Sequence, residues 1–79
     1  MITIYVHLEG LENTLVDIEE LPAVTDTLLV GRHPRRRDGK DVEYMLPNVN
    51  TLIIPIGRIM FIEVLSDELE EEFETFIRE

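Results

Sequence analysis

Residues 2–9, ITIYVHLE, alternate apolar and polar side chains without a break. Ile2, Ile4, Val6 and Leu8 fall on one side of an extended chain, and Thr3, Tyr5, His7 and Glu9 on the other. Successive side chains of a strand point to opposite faces, so this pattern describes a β-strand with one face buried. Every later apolar stretch before residue 66 is cut within a few residues by Gly, Pro, Asn or Asp. The chain is thereby restricted to short strands joined by turns.

The remaining segments follow the same reading. Residues 10–13 form a turn, and TLVDIEEL (14–21) forms a second strand, placed near an edge by its acids. LPAVTD (21–26) is a connector, because Pro22 cannot donate in a central strand. TLLVG (27–31) is a third strand. Asp38-Gly39 signals a two-residue type I′ hairpin turn, and DVEYML (41–46) returns as a fourth strand. PNVN (47–50) is a turn. TLIIPIGRIMFIEVL (51–65) is too long for one strand, and Pro55 and Gly57 divide it. This gives a strand at 52–54, a tight turn at 55–58 and a last strand at 59–65.

The end of the chain changes period. Ser66 suits a helix N-cap and Asp67 and Glu68 its first turn. Leu69, Phe73, Phe76 and Ile77 then recur at helical spacing, one apolar stripe on an amphipathic helix. The expected fold is a single mainly β domain over residues 1–79. A β body at 1–65, a small barrel or highly curved antiparallel sheet of about five to six strands, precedes an acidic C-terminal helix at 66–79.

The segment IPIGRIMFI (54–62) resembles the closing strand, turn and strand of Sm-like and other SH3-like small barrels. Ile54 matches the aliphatic residue that ends the first strand, and Ile59 and Ile62 match the Ile-x-x-Ile pair of the second. Pro55 and Ile56 stand where Sm-like chains carry Arg-Gly, whose Arg takes part in the RNA pocket. The resemblance implies a small barrel with a ring-forming habit, and RNA binding as a second implication.

Charge is distributed unevenly. The 79 residues hold 17 acids and seven bases, for a net charge of −10. Five of the bases, Arg32, Arg35, Arg36, Arg37 and Lys40, lie within GRHPRRRDGK (31–40). Residues 66–79 carry seven acids and one base. Three roles stay open for the basic segment: a solvated hairpin tip that protects an edge, docking onto an acidic surface, and binding of nucleic acid or phosphate. The net charge disfavours nucleic acid, since the field of the whole protein repels phosphate. The sequence also interleaves no aromatic residue with the arginines; Tyr5 and Tyr44 are the only ring platforms it offers, and Phe61, Phe73 and Phe76 read as core. The acidic helix supplies an opposite surface in the same chain. Its like-charge pairs Asp67–Glu71, Glu68–Glu72 and Glu70–Glu74 would be relieved by arginines nearby.

The candidate sites divide between this loop and the aliphatic stretch at 51–65. A chain of 79 residues without cysteine cannot use disulfides, and small domains of this size often gain stability by association. Ile54, Ile56, Met60 and Ile62, with Leu69, Phe73 and Phe76, form the candidate interface of a homo-oligomer or a protein complex. The opposing reading has the C-terminal helix covering that face within one subunit. His7 reads as a partly exposed structural histidine, His33 as a residue of the basic loop with a part in an anion site only as the alternative, and Glu63 as a solvent-facing strand position or an inward carboxylate. No cofactor, metal site or catalytic set is expected. The chain lacks cysteine, Gly-x-Ser-x-Gly, a phosphate loop and His-Glu-x-x-His. No apolar run reaches the ~18 residues of a membrane helix, and Met1 leads directly into the first strand, so a cytoplasmic setting is the expectation.

Overall fold

The structure, a computed structural model, describes residues 1–65. The expected C-terminal helix lies outside the described residues, as do Leu69, Phe73 and Phe76. Five strands follow in chain order: β1 (Ile2–Leu8), β2 (Thr14–Ile18), β3 (Leu28–Arg35), β4 (Thr51–Pro55) and β5 (Ile59–Val64). A 3-10 turn at Ile56–Arg58 joins the last two. All neighbours are antiparallel, in the spatial order β4-β3-β2-β1-β5, and the sheet curls into a half-barrel.

The alternation of β1 becomes the division between inside and outside. Ile4 and Val6 are fully buried, and with Leu8, Val16, Ile18, Leu29 and Ile54 they line the inner face. Ile2, Leu52, Ile56, Ile59 and Ile62 pack around them. Each aliphatic side chain fully buried here contributes about 1.5–3 kcal/mol relative to exposure. The inner face therefore supplies most of the drive to fold.

Two irregularities and a glycine bend the sheet. The β1–β5 register slips between His7 and Leu8, and the β2–β3 register slips between Leu15 and Asp17. At the second slip β3 spends one more residue than β2, and His33 takes φ +52°. Bulges of this kind sharpen local twist and re-aim side chains. Gly31 lets β3 cross close over β2: a Cβ there would sit 2.7 Å from Val16 Cβ. The close approach selects glycine at this strand position.

Several expectations change. The fourth strand at 41–46 does not form, and the other five expected strands make up the sheet. Its alternation is real, but its backbone is used elsewhere. Glu43 N–H donates to the Glu12 carboxylate at 3.0 Å and Met45 N–H to Val42 O at 3.4 Å. Only Val42 and Met45 withdraw from solvent in that segment, Val42 completely. The third strand runs to Arg35 rather than ending at Gly31, and it pairs with β4. Asp38-Gly39 is not a type I′ turn. Gly39 N–H donates to Arg36 O at 3.0 Å, Arg36 N–H donates to Lys40 O at 2.8 Å, and among residues 36–40 only Gly39 has positive φ. This is a three-residue loop closed by a glycine in the left-handed region. β2 lies at the centre of the sheet, not near an edge, because partners on both neighbouring strands hold Asp17.

Candidate functional site

The outer face of the sheet carries the residues that do not belong to the core. Along β2 this face shows Leu15 and Asp17, and along β1 it shows Thr3, Tyr5 and His7. Thr3 Oγ1 donates to Asp17 Oδ1 at 2.8 Å. Arg35 reaches the same carboxylate through both terminal nitrogens, at 3.4 and 3.3 Å, and His33 Nδ1 lies 3.1 Å from Asp17 Oδ2. The bulge at His33 is what turns residues 33 and 35 outwards to this carboxylate, since unbroken alternation from the buried Leu29 and Gly31 would send both to the inner face. Burial pushes the Asp17 carboxyl up, but the bonds from Thr3, His33 and Arg35 and the Arg35 charge outweigh it and hold the group below its ordinary value.

The basic segment is thereby divided. Arg32 and Arg35 are strand residues: Arg32 reaches Glu19 at 3.6 Å, and Arg35 is tied to Asp17. Arg36 contacts Glu12 and Asp38, each at 3.4 Å. Glu12 thus serves two partners, Arg36 and the Glu43 amide, and pins both sides of the hairpin to the β1–β2 turn. Arg37 and Lys40 form no ion pair among the described residues. Arg37 instead stands over the Tyr5 ring, 6.0 Å from its centroid. Tyr5, Glu12, Asn13, Arg36, Arg37 and Asp38 surround an open groove of about 590 Å³ there.

Tyr5 begins a row of rings. His7 meets it edge-on at 4.9 Å, and Phe61 from β5 stacks on His7 with centroids 3.9 Å apart and planes 19° from parallel. His7 Nε2 lies 2.6 Å from Glu63 Oε1. An ionised carboxylate only accepts, so Nε2 carries the proton of this bond and the imidazole is fixed in orientation. Phe61 is therefore not core: it is 52% exposed on the outer face. Tyr5 does lie beside an arginine, although 32 positions separate it from Arg37 in the chain. Sequence reasoning missed both because each joins distant segments: β5 pairs with β1, and the loop at 36–40 brings Arg37 over Tyr5. The one legible hint was that Phe61 alternates with Met60 and Ile62 in a strand whose two faces cannot both be inside.

The aliphatic stretch divides as well. Ile54 is buried in the chain's own core, and Ile56 and Ile62 pack against it. Met60 is exposed at the bulge of β5, and Ile53 is exposed on β4. β4 and β5 are the two end strands of the sheet. On β4 the register places the amides of Leu52 and Ile54 towards β3, as the flanking bonds Ile56 N to Thr27 O and His33 N to Asn50 O require. Thr51 and Ile53 then direct N–H and C=O away from the sheet, and Pro55 holds the outward position that needs no donor. On β5, Leu65 N–H bonds Thr3 O, so Ile62 and Val64 direct theirs outwards.

His7 and His33 serve different carboxylates, and among the described residues no three His or acidic side chains gather at metal-binding distance. Glu63 faces outwards and pairs with His7. No helix among the described residues is long and apolar enough to cross a membrane. No protein-family model matches the chain, and no curated protein or solved structure does either.

Proposed function

We propose that this chain is a non-enzymatic β module of the Sm-like or SH3-like kind whose work is association, first with copies of itself and through them with other proteins. The observation that carries the reading is the pair of open edges. Both end strands of one curled sheet present backbone groups with no partner among the described residues, and both display exposed apolar side chains: Ile53 on β4, and Met60 and Val64 on β5. An exposed apolar edge is a template for a further strand, and antiparallel addition of β5 from one copy to β4 of the next satisfies both edges at once. Such head-to-tail contacts repeat, and the half-barrel's curvature favours closure into a ring. Two features support the family reading: the five-strand order and the three-residue turn between Ile54 and Ile59.

Sedimentation of the 79-residue chain tests this. A multimeric mass at micromolar concentration is expected. Ile53→Pro removes an outward-facing amide without touching the β3–β4 ladder, so it should give folded monomer, whereas Ile53→Thr, which keeps the amide, should still associate. A monomeric wild-type chain overturns the reading. Association that survives Ile53→Pro unchanged overturns the β4 edge as its route.

A further inference from the structure

β2 ends at Ile18 and β3 begins at Leu28, and the two strands pair at Asp17–Arg32 and Leu15–Arg35. The first residues of β3 therefore have β4 on one side and the connector at 19–26 on the other. A cavity of about 290 Å³ opens there, between that connector and β3. Leu28 and Val30 line it from β3, both more than half exposed, and Leu21 and Pro22 line it from the connector. Val24 stands fully exposed on the same connector. Aliphatic side chains gathered in the open beside a cavity mark a contact surface. We infer that this cavity receives a lysine side chain of a partner protein, its methylene stem along Leu28 and Val30 and its ammonium among the carboxylates of the wall. β3 is an inner strand, so the site is separate from the open edges of β4 and β5.

The wall is formed before any ligand arrives. Asp26 Oδ2 accepts from Ala23 N–H at 2.8 Å, and Asp26 N–H donates to Ala23 O at 3.0 Å, which closes the connector into a turn. Thr27 O accepts from Ile56 N–H at 2.9 Å and ties the end of that turn to the chain beyond β4. Charge then selects the ligand. Asp17, Glu19, Glu20 and Asp26 line the cavity with one base, Arg32, and residues 17–31 contain no base at all. Thr3 and Arg35 hold Asp17, and Arg32 lies 3.6 Å from Glu19, so Glu20 and Asp26 carry the surplus. Residues 66–79, with seven acids and one base, add to the negative charge and do not offset it. The same wall repels an anion. A metal ion lacks its chelate, since no three His or acidic side chains gather among the described residues. The volume is at the small end of ligand pockets, room for one side chain rather than a cofactor. A lysine lays its stem on apolar surface and keeps its charge at the rim. Its ammonium donates in three directions. That suits carboxylates from separate places, Glu20 after β2 and Asp26 before β3, better than a planar guanidinium fork does.

Amide NMR of the isotope-labelled full chain, titrated with acetyl-Val-Lys-Val-amide at about 20 mM salt, tests the site. Shifts should concentrate in residues 19–32 and saturate at a peptide concentration on the order of 1 mM, as expected for one side chain. The same peptide with acetyl-lysine, which keeps the stem and loses the charge, should bind at least about fivefold more weakly. Glu20→Gln and Asp26→Asn, which keeps an acceptor for Ala23 N–H, should each weaken binding about threefold. Val30→Thr, which keeps a strand-forming residue but loses a methyl, should weaken it about threefold as well. Four results overturn the proposal: shifts spread over the whole acidic surface, equal binding of the acetyl-lysine peptide, tighter binding of an arginine peptide, or indifference to all three substitutions. Matching shifts on concentrating the chain without peptide would give the cavity to a second copy and overturn it too. The monomeric Ile53→Pro chain should bind the peptide as the wild type does, which keeps this test separate from the test of association.

Discussion

The Thr3 hydroxyl donates to the Asp17 carboxylate at 2.8 Å, across the β1–β2 pair at the centre of the sheet. That carboxylate also holds Arg35 and His33 from β3, so one acid joins three strands on the outer face.

Acid sensitivity follows from Asp17. Its folded-state carboxyl lies below the ordinary value of 3.8, burial being outweighed by the bonds from Thr3, His33 and Arg35. A lowered folded-state value means the contribution is fully present above the ordinary value and is lost as pH falls from there through the folded value. Asp17→Asn should therefore be less stable than wild type at pH 7. The gap between the two in urea unfolding should narrow steadily below pH 3.8. A gap that stays constant down to about pH 2 would show that the carboxylate charge contributes nothing.

Gly31 should tolerate no side chain. Gly31→Ala places a methyl 2.7 Å from both Cβ and Cγ2 of the fully buried Val16, so β3 must move away from β2. The expected cost is about 1–3 kcal/mol, as for other overpacked sites. Gly57→Ala, with open space around it, is the comparison and should change the denaturation midpoint far less.

The segment after the hairpin depends on one hydroxyl. Thr14 Oγ1 donates to Glu12 O at 3.0 Å, which leaves Tyr44 as the donor of the 2.6 Å bond between Tyr44 and Thr14. Tyr44→Phe should cost about 0.5–1.5 kcal/mol. Amide hydrogen exchange should speed up at Glu43 and Met45 while β1 stays protected. Uniform loss of protection across the sheet would contradict this local role.

His33 occupies φ +52° at the β3 bulge. Asparagine accepts this conformation readily and a β-branched residue does not. His33→Asn should fall within about 0.5 kcal/mol of wild type, and His33→Val should lose at least about 1 kcal/mol. Equal stabilities in thermal unfolding would mean that the bulge relaxes without strain.

The sequence alone determined the strands that alternate and the places where they stop. ITIYVHLE settled which side of β1 is inside, because period two leaves only one buried face, and Pro55 with Gly57 settled the break between β4 and β5. It also marked DVEYML as a strand, wrongly, since alternation cannot reveal that Glu12 claims the Glu43 amide and Thr14 the Tyr44 hydroxyl. The basic segment was legible as charge and not as arrangement. Only the fold separated Arg32, Arg35 and Arg36, which neutralise acids of β2 and its flanking turns, from Arg37 and Lys40, which pair with no acid among the described residues. The ring row was invisible for the same reason. Tyr5 and Phe61 lie 56 positions apart, and nothing local to either residue indicates that β5 returns to pair with β1. Local periodicity fixes which face a side chain takes; pairing between distant strands decides which side chains share that face.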